Sequence, residues 1–207
     1  EGPSAGGMDM WWNRVIFGVG SYELVMWFLT YGMLGWLVES IYMSFCNKKL
    51  TNRGFGRGPF CPIYGVGALT VFFLLRPYSE NRVLLFFMGS FFSFFLEYQT
   101  VLLMQKVFGE VWWDYNEKPF NYKGIICLES SIAWGFYTLF LFMFLQNTVE
   151  GIVALIPLYV GRVAGSVLIT VFGMDFLSSF YNVKKDDMPE CVTGPIERIK
   201  ENIRNFI

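Results

Sequence analysis

NRGFGRGPFCPIYG, residues 52–65, lies between two long apolar runs and resembles neither of them. It contains four glycines, two prolines, two arginines and a cysteine. Glycine adopts backbone conformations that are closed to other residues, and proline fixes φ and removes a hydrogen-bond donor. We therefore predict an irregular loop of specific shape that turns the chain into the next helix. It is either a tight inter-helix turn or, because polar backbone and arginines are costly at a membrane border, part of a transport or headgroup-binding site.

The composition predicts an all-α integral membrane protein with one helical domain in a lipid bilayer. Of the 207 residues, 54% are hydrophobic, 20% are aromatic and only 16% are charged, against about 25% charged in an average globular domain. The net charge of −1 disfavours a nucleic-acid partner. The chain has no histidine, which excludes imidazole catalysis and a histidine-ligated zinc site. We expect no metal and no cofactor.

Apolar runs predict about five transmembrane helices within a domain at residues 8–183, since a spanning helix needs about 20 apolar residues. The expected spans are residues 24–46, 62–75, 83–105, 125–146 and 151–180. Tryptophans in residues 10–20 favour an interfacial segment before the first span. The tail, residues 184–207, carries isoleucines at helical spacing and predicts a cytoplasmic amphipathic helix. Residues 1–7 resemble a cloning remnant, with Met8 as the expected natural start.

The basic residues predict the orientation of the chain. Five spans would put the termini on opposite sides. One side would hold twelve Lys and Arg residues and the other three. The positive-inside rule then places the N-terminus outside and the C-terminus in the cytoplasm. The twelve are Lys48, Lys49, Arg53, Arg57, Lys106, Lys118, Lys123, Lys184, Lys185, Arg198, Lys200 and Arg204, and the three are Arg14, Arg76 and Arg82.

Charged residues inside the apolar runs are the first candidates for a binding site, because a charge in hydrocarbon is costly. Glu39, Glu97, Glu129 and Arg162 fall in four predicted spans, in the middle of the bilayer or towards its cytoplasmic side, and Asp175 does the same. Their similar depth predicts one polar cavity that opens to the inside. The alternative is a set of structural ion pairs that hold the helices together. A serine follows both Glu39 and Glu129 and is a candidate hydrogen-bond donor.

Two loops supply the remaining candidate binding residues. In the glycine-rich loop these are Asn52, Arg53, Arg57 and Tyr64, because glycine-rich backbone and arginine bind anions such as a lipid headgroup or a carboxylate. In the third loop, Trp113 beside Asp114 has the composition of a site for an ammonium group or a flat ligand. Interfacial anchoring of the third loop is the alternative.

The two halves of the chain contain a weak internal repeat. Each half has a helix with a glutamate, a loop in which a glycine follows an asparagine, and a cysteine at the start of the next span. The cysteines in these positions are Cys61 and Cys127. With Cys46 and Cys191 they form no C-x-x-C pair, so we expect packing roles, and a redox link stays open.

Three stretches resemble the CmpB-type family of ABC-transporter type IV permeases. They are GWLVES at 35–40, NRGFGRGPFCPIYGVG at 52–67 and WWDYNEKPFNYKGIICLESSIAWG at 112–135. The resemblance covers about residues 31–135. It implies a multi-pass protein of a bacterial cytoplasmic membrane. It also implies a separate ATPase subunit, since no part of this chain is a nucleotide-binding domain. The tail or the cytoplasmic loops are candidate docking surfaces for that subunit.

The sequence thus favours the membrane subunit of a transport system, a permease with a carboxylate-lined cavity that faces inward. A stand-alone proton-coupled carrier is a close variant. A membrane enzyme acting on a lipid-linked or phosphate-bearing substrate and a scaffold that recruits a soluble partner are the rivals. The sequence contains no nucleophile motif to support the enzyme. The substrate, the coupling ion and whether the chain forms a homo-oligomer stay open.

Overall fold

The computed structural model of the protein describes residues 11–52, 57–109, 111 and 114–184. Within these residues the fold is a helical bundle with two small hairpins of two-residue strands. The first hairpin pairs β1 (Val15–Ile16) with β2 (Val19–Gly20), and the second pairs β3 (Asn121–Tyr122) with β4 (Ile126–Cys127). The helices are α1 (Ser21–Asn47), α2 (Pro62–Leu75), α3 (Arg82–Phe108), α4 (Leu128–Phe140), α5 (Gln146–Leu155) and α6 (Leu158–Lys184). A π-helical segment, Leu141–Leu145, joins α4 to α5, and a 3-10 turn, Arg76–Tyr78, follows α2.

Four helices in the described part of the chain are long and apolar enough to cross a membrane. They are Ser21–Asn47, Arg82–Lys106, Leu128–Leu155 and Leu158–Asn182. The all-α membrane class is therefore confirmed, but the expected count of five spanning helices was wrong. The helix predicted at residues 62–75 forms, yet its 14 residues extend only about 21 Å, short of a hydrocarbon core of about 30 Å.

The start of α2 lies beside the middle of α1. The amide of Cys61 donates to the carbonyl oxygen of Gly32 at 3.1 Å. Gly32 lies fifteen residues before the end of α1, or about 22 Å along its axis. At the other end of α2, Phe73 contacts Phe17 of the first hairpin, with ring centroids 5.5 Å apart. Helix α2 is thus a half-helix that starts near the middle of α1 and ends beside its N-terminus.

The bundle has two ends. The N-terminal face contains residues 11–21, 76–82 and 156–157, and the loop face contains the end of α1, the described part of residues 109–127 and the end of α6. A hydrogen bond of 2.6 Å between Arg162 and Asn13 links the start of α6 to the N-terminal face. The loop expected at residues 147–150 is helical, and the break in the chain falls instead at Ile156 and Pro157.

The apolar core lies where α1 packs against α2, α5 and the π-helical segment. Two glycines let α1 and α2 approach closely. A Cβ atom at Gly35 would lie 2.2 Å from the Tyr64 ring, and one at Gly65 would lie 2.7 Å from the backbone oxygen of Phe28. Helix α6 is mostly exposed and enters the core chiefly through Phe172. Buried core side chains include Trp27, Leu29, Tyr31, Phe72, Leu75, Leu85, Val149 and Val153.

The C-terminal tail predicted to be amphipathic lies outside the described residues, as do residues 1–10. The N-terminal segment predicted to be interfacial contains the β1–β2 hairpin. Its turn residues Phe17 and Gly18 both have positive φ. Val15 and Phe17 are exposed at its tip, as expected for a segment that contacts lipid headgroups.

A clamped loop and two carboxylate sites

The glycine-rich loop is held by a carboxylate of α6, in an arrangement that we call the loop clamp (Arg57, Gly58 and Asp175). The amide of Arg57 donates to Asp175 Oδ1 at 3.1 Å, and the amide of Gly58 donates to Oδ2 at 2.9 Å. Hydrogen bonds to an ionised acceptor are stronger than neutral ones. Asp175 lies nine residues from the end of α6, about 14 Å below the loop face. A carboxylate of the same chain thus accepts hydrogen bonds from two backbone amides of the loop.

Aromatic and polar contacts fix the rest of the loop. The rings of Phe60 and Phe172 stack with centroids 4.5 Å apart and an interplanar angle of 5°. Asn52 accepts a hydrogen bond of 2.6 Å from the Trp36 indole and donates to the carbonyl oxygen of Arg57 at 3.1 Å. These contacts position the loop between α1 and α6, directly before the first turn of α2.

A groove of about 730 Å³ lies between the loop-face half of α1 and the start of the loop. Its surface is largely apolar, although five of the lining residues are polar: Ser40, Ser44, Lys49, Thr51 and Asn52. The apolar lining residues are Trp36, Leu37, Ile41, Phe45 and Leu50. The groove is open at the protein surface and runs along the loop-face half of α1.

The first carboxylate site pairs Glu39 with Tyr64. The Tyr64 hydroxyl donates to Glu39 Oε2 at 2.9 Å. Tyr64 lies in the first turn of α2, and the absence of a side chain at Gly35 makes room for its ring. Two of the predicted site residues are thus in direct contact, beside the start of the half-helix.

The second carboxylate site contains Glu97, Ser130 and Trp134. Ser130 Oγ donates to Glu97 Oε1 at 2.6 Å, and the Trp134 indole donates to the same oxygen at 2.9 Å. Glu97 Oε2 is buried, and it has no hydrogen-bond partner among the residues that the structure describes. Ser130 was predicted to be a donor to Glu129, but it faces Glu97 instead.

The two sites occupy equivalent positions in two helical hairpins. In each hairpin a 27-residue helix, α1 or α3, carries the glutamate. The first turns of the following helix, α2 or α4, supply its partners. A buried cysteine, Cys61 or Cys127, forms the N-cap of that second helix. This is the arrangement expected from the weak repeat in the sequence.

The third loop places Tyr115 against the second carboxylate site. Burial and then the negative charge of Glu97 raise the pKa of Tyr115 above its ordinary value, while a hydrogen bond with Ser130 lowers it. Asp114 instead accepts hydrogen bonds from the amide and side chain of Asn116, at 2.8 and 2.7 Å.

Glu129 and Arg162 do not join a common cavity. Glu129 is exposed and forms a 2.8 Å ion pair with Lys118, and a hydrogen bond with Glu129 raises the pKa of Lys118. Arg162 bonds to Asn13, only four residues into α6. It had been placed in mid-span because the last span was expected to begin at residue 151. The described residues thus form no single cavity lined by Glu39, Glu97, Glu129 and Arg162.

Two features were missed in the sequence. Asp175 was noted as a charged residue of the last span but was not chosen as a site residue. Among the described side chains, it is the one that accepts hydrogen bonds from the amides of Arg57 and Gly58. The buried Gln146 accepts from the Tyr31 hydroxyl and donates to Glu150 at 2.7 Å. Gln146 was expected to be the last residue of the fourth span, and residues 147–150 were expected to form a loop, so this contact was not predicted.

Two predicted candidates, Arg53 and Trp113, lie outside the described residues. Within the described chain, no group of three or more cysteine and carboxylate side chains is placed to hold a metal ion.

The long apolar helices, the half-helix and the loop folded between α1 and α6 define a polytopic helical membrane protein. The chain matches a family model, described as "Putative ABC-transporter type IV", over residues 26–180. The match covers most of the chain, so the chain belongs to this family, and the resemblance seen in its motifs is confirmed. Family and helices together support a membrane transport subunit. No curated protein and no solved structure matches the chain.

Proposed function

We propose that this chain is the membrane subunit of an ABC transport system that works with a separate ATPase. Its substrate route runs from the loop face, past the glycine-rich loop, to the two carboxylate sites. The loop face is cytoplasmic, and the chain lies in a bacterial cytoplasmic membrane. The family supports the transport assignment and suggests an ATPase partner.

The loop clamp is the observation that carries the proposal. An irregular backbone segment within the membrane is tolerated where protein buries it or where it lines a cavity. Discontinuous helices of this kind hold substrates and ions in transporters. Here Asp175 replaces water as the acceptor for the amides of Arg57 and Gly58. Because α6 is mostly exposed, its movement away from α1 would free the loop and open the route.

The charge distribution supports the orientation. The loops and the tail on the loop face account for twelve Lys and Arg residues, against three on the N-terminal face. With Arg162, which bonds to Asn13 at the start of α6, the N-terminal face has four, and the bias towards the loop face is unchanged. The positive-inside rule then puts the N-terminal face outside the cell.

Labelling of Cys61 with a membrane-impermeant maleimide tests the function without knowledge of the substrate. Cys61 is buried beside the clamp, whereas Cys46 is exposed at the end of α1. Two variants, each keeping one of these cysteines and with all the others changed to serine, would be expressed from the native locus, and inside-out vesicles prepared. We expect ATP with vanadate to change the labelling rate of Cys61 at least severalfold and to leave Cys46 unchanged.

A denatured sample, in which Cys61 is fully accessible, serves as the control that the thiol can react. If Cys61 reacts there but is labelled equally with and without ATP in the vesicles, the chain is not an ABC subunit, and a stand-alone carrier is favoured. Two further single-cysteine variants test the orientation. Lys49→Cys should react only from the cytoplasmic side, and Phe17→Cys only from the outside. The reverse result would overturn the assignment of the loop face.

A further inference from the structure

The second carboxylate site has an unused acceptor. Glu97 Oε1 already receives two hydrogen bonds, from Ser130 and Trp134. Glu97 Oε2 is buried without a partner among the described residues. Buried polar atoms are nearly always hydrogen-bonded, and an exception calls for an explanation such as an unoccupied ligand site. The first carboxylate site differs, because Tyr64 donates to Glu39.

Neighbouring charged groups do not satisfy Glu97. Two described cations lie on the adjacent loop: the ammonium group of Lys118 bonds to Glu129, and that of Lys123 lies over the Tyr122 ring, 5.5 Å from its centroid. The other titratable groups that packed elements bring towards this region are Cys127 at the start of α4, Tyr137 on α4 and Tyr115 in the loop. None of these groups carries a positive charge. The site therefore combines a negative charge, a spare acceptor and no cation of its own among the described residues.

Aromatic rings form the rest of the surroundings. Trp134 donates to Glu97 and packs edge-on against Tyr137, with ring centroids 6.0 Å apart. Tyr115 of the third loop forms a hydrogen bond with Ser130, the residue that donates to Glu97, and so lies beside the site. A carboxylate beside aromatic faces suits an ammonium group, since the rings attract cations and the oxygen accepts an N–H bond. A hard metal ion would instead need about six to eight oxygen ligands.

We propose that Glu97, Trp134 and Tyr115 form the binding site for a primary ammonium group, so that the transported substrate is an organic amine. This inference rests on the proposed transport function and names its substrate class. Glu97 Oε2 accepts an N–H bond from the ligand, and the aromatic rings of Trp134 and Tyr115 border its charge. Because the oxygen is buried, the ligand enters when Tyr115 and the loop move aside.

Ligand-dependent thermal stability of the purified chain in lipid nanodiscs tests this site, with methylammonium as the probe. We expect methylammonium chloride to raise the melting temperature, and we expect potassium chloride at equal ionic strength to have no such effect. Tetramethylammonium should bind more weakly because it has no N–H donor. Glu97→Gln should weaken methylammonium binding at least about tenfold, given the usual strength of hydrogen bonds to charged groups. The matched control Glu129→Gln, at an exposed carboxylate, should bind normally.

Three results would overturn the inference: no response of the wild type, unchanged binding by Glu97→Gln, or an equal loss in Glu129→Gln. If Glu97→Gln does not fold, Tyr115→Leu serves in its place, with Tyr122→Leu as control in the same loop. If the chain does not bind the amine but the labelling of Cys61 does respond to ATP, only the amine site is refuted and the proposed transport function stands. Amine binding without ATP-sensitive labelling would support the site and refute the ABC subunit.

Discussion

Replacement of Gly65 by alanine should force α1 and α2 apart. The new Cβ would lie 2.7 Å from the backbone oxygen of Phe28 and 2.6 Å from its Cδ2. Ordinary contacts begin at 3.4 Å, so the helices would have to separate by about 0.7 Å. A backbone oxygen cannot rotate away as a side chain can. Overpacking of this kind costs about 1–3 kcal/mol, so the substitution should lower the free energy of unfolding by that amount.

Gly67→Ala is the matched control on the same helix. No atom lies within 4 Å of the Cβ that it would add. Alanine is favoured over glycine in a helix by about 0.5–1 kcal/mol, so this variant should be slightly more stable than the wild type. The two substitutions add the same methyl group, yet their free energies of unfolding should differ by about 1.5–4 kcal/mol.

Reversible unfolding in mixed detergent micelles, followed by circular dichroism, measures this difference. Both variants should keep the same helix content before unfolding. If Gly65→Ala proved as stable as Gly67→Ala, α1 and α2 would not pack as closely as described. The position of the half-helix, and with it the contact between Tyr64 and Glu39, would then have to be revised.

Three further predictions concern the site. Asp175→Ala should lower the free energy of unfolding by about 1–3 kcal/mol and raise the labelling rate of Cys61. Asp175→Asn keeps one acceptor oxygen, so its labelling rate should lie between those of Asp175→Ala and the wild type. Equal labelling rates in all three proteins would refute the clamp. Because the pKa of Tyr115 is raised on folding, the stability from its phenol should be complete below pH about 10 and be lost as the pH rises through the folded pKa. Glu97→Gln should lower the pKa of Tyr115, measured from tyrosinate absorbance as the difference from a Tyr115→Phe variant. An unchanged pKa would mean that Tyr115 does not lie near Glu97. Lys118→Gln should leave the melting temperature unchanged, since its ion pair is exposed to solvent, and a marked loss would mean that the third loop depends on it.

The apolar runs predicted the helical class and most helix positions, because a bilayer demands long apolar segments. Helix α3 occupies Arg82–Phe108, close to the predicted residues 83–105. The break between the last two spans was misplaced for a physical reason. The polar run after residue 145 stays helical because partners within the bundle, such as Tyr31 for Gln146, satisfy its side chains. Pro157 marks the actual end of the segment, since proline cannot continue a helix from within.

The candidate site was predictable in composition but not in arrangement. Sequence distance from the helix ends gave a useful depth for Glu39 and Asp175, because a helix rises uniformly. It did not give the direction of a side chain. Glu129 lies one residue from Ser130, yet it points to Lys118 while Ser130 points to Glu97. Such pairing depends on the rotation of α4 against α3, which no local pattern encodes.

The π-helical segment, Leu141–Leu145, is equivalent to one residue inserted into an otherwise continuous α-helix. Before it, α4 packs on α3 at Gly135 and Thr138. After it, Gln146 and Val149 are buried on the side of α1. Removal of a single residue from this segment would rotate α5 by about 100° relative to α4. The span could then pack correctly either on α3 or on α1, but not on both. The inserted residue thus ties the two hairpins into one body, and a one-residue deletion scan along the span should find its least tolerant positions there.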